Sequence, residues 1–189
     1  MAAKKLSKPV IAAIVIVSVL VVAFSVFLPL YLKNNSENRK LYKEHKIKIT
    51  AYGKEIGAYS LNDFLALSGV AERDFEATYD TSNSDAVRKT YTGIEVKKIL
   101  LALNVDMASA RAITFNGSDG MSKLYTPDDV IANDNVFIAY KVNGKPFNKG
   151  IKTQAYKEAE EDGGPFVIIK VSDTFSQHRC KLLVEIEVS

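Results

Sequence analysis

The chain has 189 residues, with 25 Lys and Arg against 22 Asp and Glu, for a formal charge of +3. A single cysteine excludes an intrachain disulfide and a cysteine-rich metal centre, and two histidines argue against a histidine-rich one. The charge is divided: residues 1–48 hold nine bases and two acids (+7), leaving 25 − 9 = 16 bases and 22 − 2 = 20 acids (−4), the wrong sign for a nucleic-acid domain.

After a short basic tail, 1–8, the run "PVIAAIVIVSVLVVAFSVFLPLYL" carries no charge from Pro9 to Leu32. About 20 apolar residues span a bilayer as a helix, so this run is long enough. It is longer than the core of a secretory signal, and no small-residue cleavage pattern closes it. The expectation is one uncleaved transmembrane anchor over 9–32, in the cell membrane. Its orientation cues conflict. Lys4, Lys5 and Lys8 precede the run, while Lys33, Arg39, Lys40, Lys43, Lys46 and Lys48 follow it. The short basic head is that of an anchor whose N-terminus stays inside, so the following domain is expected outside the cytoplasm. The polar basic linker 33–45 either rests on anionic headgroups or is a solvated spacer; the sequence leaves both open.

The domain proper is expected over 46–189. "KIKITAYG" alternates as a strand over 46–53. "YSLNDFLALSG" predicts a short helix with Ser60 as N-cap, Asp63 closing a capping box, Tyr59 and Phe64 as staple and Gly69 as stop. "DFEATYD" predicts a strand. The polar stretch "DTSNSDAVRK" then predicts a long connection, of the kind that often carries function. "TYTGIEVKKILLALNV" predicts a helix from near Gly93, with Tyr91 before the cap and a Thr92–Glu95 capping box.

"RAITFNGSDG" reads as a strand closing on an Asp119-Gly120 turn. "TPDDVIAN" predicts a short helix capped by Thr126 with Pro127 at its first position. "NVFIAYKVNGKPF" predicts a hairpin about Asn143-Gly144. "KEAEEDGG" reads as a solvated loop, with weak binding of a hard cation by Glu158, Glu160, Glu161 and Asp162 as the lesser reading. "GPFVIIKV" and "CKLLVEIEV" are two further strands. The sum is an α+β domain with more sheet than helix. No Ser-His or Gly-x-Ser-x-Gly pattern supports a nucleophilic hydrolase.

The ordered set "YSLNDFLAL", "YTGIEVKKILLALNV", "ITFNGSDGMSKLYTPDDV", "FIAYKVNGKPF", "GPFVIIKV" and "CKLLVEIEV" resembles the oxidoreductase molybdopterin-binding domain, the catalytic fold of sulfite oxidase and plant nitrate reductase. The resemblance implies a mostly β, sulfite-oxidase-like fold after the transmembrane helix. It also implies that the connection before Tyr91 supplies a cysteine thiolate to molybdenum, beside the two pterin sulfurs. Here that connection has no cysteine: Asp80, Thr81, Ser82, Asn83 and Ser84 fill it. Hydroxyls are poor substitutes for a soft sulfur donor. Cys180 maps to the start of the last strand, where a small buried thiol is expected. Arg88 and Lys89 are the only bases of the connection available to a pterin phosphate.

Three readings follow. The favoured one is a non-catalytic relative that binds a small ligand or a membrane partner protein, with no cofactor and no metal ligands expected. The second is a redox enzyme holding molybdopterin, the molybdenum cofactor, without a protein thiolate. The third is a structural or interaction domain. No catalytic residue is assigned, so whether the chain is an enzyme stays open. The candidate ligand-binding residues are Asp80, Thr81, Ser82, Asn83, Arg88, Tyr91 and Asp119, although Asp119 fits turn chemistry better. Membrane contact through 9–32 is expected, and nucleic acid is not.

Overall fold

The computed structural model describes residues 8–81, 84–147 and 163–189. The acids of 158–162 lie outside the described residues. Two units are described separately, residues 1–37 and 38–189.

In the first unit, helix α1 (Lys8–Glu44) begins; it continues into the second, so the stretch expected as a linker is helical as far as Glu44. The described side chains from Ile14 to Leu28 are largely apolar and exposed. Ser18 Oγ donates to the Ile14 carbonyl and Ser25 Oγ to that of Val22, so both hydroxyls are satisfied within the helix. Among the described residues no helix is long and apolar enough to cross a membrane. The spanning segment expected over 9–32 therefore rests on the sequence.

In the second unit two five-stranded sheets enclose the main core. Its strands are β1 (Lys46–Ala51), β2 (Lys54–Ser60), β3 (Glu72–Thr81), β4 (Ser84–Glu95), β5 (Ile113–Gly117), β6 (Ser122–Tyr125), β7 (Val136–Val142), β8 (Lys145–Pro146), β9 (Val167–Lys170) and β10 (Leu183–Val188). One sheet runs β2-β1-β10-β5-β6, with β1 parallel to β10. The other runs β3-β4-β7-β8, with β9 also paired to β7. Period-2 alternation, reset once at Tyr140 by the irregular β4–β7 register, sorts the apolar side chains between two clusters. Val136, Ile138 and Tyr140 of β7, with Phe166 and Ile168, join the core that also holds Ile47, Phe115 and Ile186. Ala139, Val142, Val167 and Ile169 face the other way, into a smaller cluster with Ala77, Tyr91 and Phe147. β7 is thus covered on both faces, which is why it reads as a near-continuous apolar run.

Helix α2 (Leu61–Leu65) has the expected capping box, with the Asp63 amide donating to Ser60 Oγ and the Ser60 amide to the Asp63 carboxylate. Tyr59 and Phe64 stack at 5.4 Å. Helix α4 (Pro127–Ile131) is capped by Thr126 and Asp129 in the same manner. The hairpin at Asn143-Gly144 has φ of 48° and 76°, as a tight two-residue turn requires.

Three expectations are corrected. The strand expected over 46–53 ends at Ala51, turns at Tyr52-Gly53 (φ 52° and 75°) and returns as β2. Tyrosine rarely takes a left-handed backbone, so the turn carries a weak sequence signal. The long polar connection is in fact mostly strand: β3 and β4 form a hairpin, with pairs from Glu72↔Ile94 to Thr81↔Ser84. The helix expected from Gly93 begins three residues later, as α3 (Val96–Ala102), with Glu95 at its N-cap making no side-chain cap bond. The Thr92–Glu95 capping box is absent because both residues are held in β4. Thr92 Oγ1 donates to Asp74, and Glu95 accepts from the Asp134 amide. Pairing of Tyr91–Glu95 with β7 overrides the local cap pattern. A Cβ on Gly93 would sit 2.5 Å from the Ile138 carbonyl oxygen, so this glycine serves strand approach at an irregular register.

Candidate ligand site at the β3–β4 hairpin

The smaller apolar cluster makes the floor of the region to which the sequence assigns a site. Tyr91 is fully buried there, its ring stacked between Phe75 at 5.7 Å and Phe147 at 6.1 Å. Its hydroxyl accepts from Arg179 Nη1 at 2.9 Å. Arg179, only 6% exposed, also donates from Nη2 to the Thr78 carbonyl at 2.9 Å. Its guanidinium lies 4.8 Å from the Tyr91 ring centre and 5.4 Å from that of Tyr79. Lys89 Nζ is 3.9 Å from the same Tyr79 ring. A buried charge is costly without partners, and hydrogen bonds to the hydroxyl and the carbonyl, with aromatic faces beside the guanidinium, supply them here.

The segment before Arg179 is pinned from two sides. Ser176 Oγ accepts from the Asp80 amide at 2.6 Å, tying a short 3-10 turn (Ser176–His178) to the end of β3. The Tyr125 hydroxyl donates to the His178 carbonyl at 2.8 Å. Lys170 bridges Asp173 at 3.2 Å and Asp129 at 3.3 Å, and His178 Nδ1 lies 3.3 Å from Asp173. Burial alone would lower the lysine pKa, but its bonds to Asp173 and Asp129 outweigh it and hold the value above the usual range.

The sequence-chosen residues divide. Asp80 and Thr81 end β3, Asp80 holding Ser176 through its backbone amide. Ser82 and Asn83 lie outside the described residues. Arg88 is turned outward and pairs with Glu76 at 3.2 Å, both side chains about two-thirds exposed. Tyr91 is brought to the floor. Asp119 stands apart, in the β5–β6 turn, accepting from the Met121 amide at 3.1 Å, which is turn chemistry. Arg179 was missed as a site residue. The available signal was its rarity: the domain has only Arg73, Arg88, Arg111 and Arg179.

The donor set does not fit a thiolate-bound metal. The hairpin contains no cysteine. Cys180 follows Arg179 but turns to the opposite side, into the main core. It is fully buried, and its thiol donates to the Phe115 carbonyl at 3.3 Å. Desolvation first, then the Asp119 charge, push its pKa up to about 12, so the nucleophilic thiolate is suppressed. Among the described residues no group of three or more His, Cys, Asp or Glu is placed to hold a metal ion.

Comparison with known proteins agrees with this architecture. The pattern of the oxidoreductase molybdopterin binding domain matches residues 42–151, more than half of the chain. No curated protein matches the sequence. Among solved structures, the sulfane dehydrogenase SoxCD from Paracoccus pantotrophus has a similar fold, with a TM-score of 0.55 at 13% identity. That likeness covers 78% of this chain but 38% of the other, so this chain spans well under half of that protein.

Proposed function

The chain belongs to the oxidoreductase molybdopterin binding domain family, and on that premise we propose that it is a non-catalytic member, tethered to the cell membrane by residues 9–32 with its domain outside the cytoplasm. The observation that carries the non-catalytic reading is the sulfur inventory. The chain has one cysteine, and that thiol is committed to the Phe115 carbonyl inside the core. The hairpin offers hydroxyl, amide and carboxylate groups, which are hard or weak donors for this chemistry. The β3–β4 hairpin, with the Tyr91 cluster beneath it, is where the proposed small ligand or membrane partner protein would bind.

The uncharged run 9–32 and the short basic head support the tether and its orientation. Two measurements test the proposal. Fluorescence of oxidised pterin, released from protein purified out of a cofactor-making host, should match the empty-vector background. Ser172→Cys should react with an impermeant thiol reagent on intact cells. Ser172 is exposed while Cys180 is buried, so the native thiol adds little background. Stoichiometric pterin would overturn the non-catalytic reading, and protection of the new cysteine until lysis would overturn the orientation.

A further inference from the structure

The part of α1 that belongs to the second unit keeps its charges apart. Arg39, Lys40 and Lys43 are exposed. At about 100° per residue the three fall within an arc of about 100° on the helix. On the opposite side Asn38 and Leu41 are buried. Glu44 falls on the flank of the arc toward Leu41 and meets Lys46 at 3.5 Å. The packing that buries Leu41 therefore turns the bases outward as one stripe.

These bases are little committed within the protein. Lys40 lies 3.9 Å from Glu44 with its side chain 74% exposed, a surface pair of small worth. Among the described residues no carboxylate pairs with Arg39 or Lys43. A helix face that only meets water gains from acids set among its bases at i,i+4 spacing, and this arc holds none. Residues 49–189 carry −4, so a surface that attracts the stripe repels the rest of the domain. Only six residues, 33–38, separate Arg39 from Leu32 at the end of the uncharged run. Fully extended, that stretch reaches about 25 Å. As helix, the form α1 takes there, it rises about 10 Å, close to one Debye length at physiological salt.

We propose that Arg39, Lys40 and Lys43 bind the anionic phospholipid headgroups of the bilayer that holds residues 9–32. Headgroup phosphates supply charge-assisted acceptors: Arg39 can take one through two parallel bonds, and the lysines act as point charges. Of the two sequence readings of 33–45, this is the headgroup contact rather than the solvated spacer. The inference rests on the membrane anchor proposed above, but on neither its orientation nor the non-catalytic reading.

The test uses the full chain in nanodiscs of phosphatidylcholine, alone or mixed with phosphatidylglycerol. An uncharged acetylating reagent labels the lysines, and mass spectrometry reads the rate at each. Lys54 and Lys98, exposed and on other elements, serve as references. Relative to them, Lys40 and Lys43 should label about fivefold more slowly in the anionic discs. The difference should vanish at about 1 M salt, where the Debye length is about 3 Å. Arg39→Gln combined with Lys43→Gln should restore the Lys40 rate, whereas a lysine held near the surface by the tether alone would stay slow. Equal rates in the two discs would overturn the inference. So would equal slowing of Lys54 and Lys98, or a Lys40 rate that the double variant leaves unchanged. A chain that enters neither disc would overturn the anchor and this inference together, while entry into both with equal labelling would overturn this inference alone.

Discussion

Replacing Tyr91 by phenylalanine removes one oxygen from the floor of the hairpin region and nothing else. The ring keeps its stacking with Phe75 and Phe147, so apolar burial is unchanged. The loss includes the acceptor for Arg179 Nη1, a buried charge-assisted bond of 2.9 Å. Hydrogen bonds to charged groups are worth about 1.5–3 kcal/mol. A guanidinium that is 6% exposed has little water to replace the lost partner. The expected loss is therefore about 2 kcal/mol, or roughly 4–8 °C in Tm for a domain of this size. Arg179→Met removes the charge together with its bonds to Tyr91 and Thr78, and an apolar chain in place of a buried ion often costs less than orphaning the ion. The double variant should then be far from additive, with a coupling of about 1.5 kcal/mol. The assay is thermal and urea unfolding of the full chain followed by far-ultraviolet circular dichroism, across wild type, both single variants and the double. A Tyr91→Phe protein within about 0.5 kcal/mol of wild type, the scatter of neutral surface changes, would refute the claim that the Arg179 charge is held by this hydroxyl. Additive single effects would refute it equally.

Other outcomes follow from the same geometry. Gly93→Ala should destabilise the domain by about 2–4 kcal/mol, because its Cβ meets β7 backbone that has no room to yield; urea midpoints measure this. Cys180 should stay unreactive to a thiol reagent at pH 8 and titrate fully once denatured. Its folded pKa of about 12 lies above the usual 9.0, so the stability it contributes is complete below pH 9 and declines as pH rises toward 12. Asp129 shows the opposite sign. Desolvation would raise its pKa, but bonds from Thr126 and Lys170 outweigh it and hold the value below the usual 3.8. The stability it contributes is thus present above pH 3.8 and is lost as pH falls through the lowered folded value. Asp129→Asn should cost about 1 kcal/mol at pH 7 and less at pH 2, read from unfolding at the two pH values.

Local chemistry was the legible part of this chain. The Ser60–Asp63 and Thr126–Asp129 boxes and the Asn143-Gly144 turn are set by neighbouring residues, and all three stand where their patterns placed them. The Thr92–Glu95 pattern looked the same but failed. Its residues are claimed by pairing to β7, some 45 positions later in the chain, and no local signal reports that. The polar residues of 84–90 read as a loop because alternation shows only where one face is buried. Asp85, Arg88 and their neighbours sit in a hairpin whose outer part is largely exposed. At the candidate site, Tyr91 was legible from its place beside the Thr-Gly pair, but its partner was not. Arg179 reaches the site from 88 residues away, through a turn fixed by Ser176 and Tyr125.

The most direct measurement of the central claim is the molybdenum-to-chain ratio of the full protein, purified from a host that makes the cofactor. It is taken side by side with variants that place a cysteine in turn at Asp80, Thr81, Ser82, Asn83 and Ser84. The wild-type chain should hold no stoichiometric metal, since its one thiol is sealed in the core, and any gain should appear only where a thiolate is restored to the hairpin. About one molybdenum per wild-type chain would contradict the account and make this family member a redox enzyme that binds its cofactor without a protein sulfur.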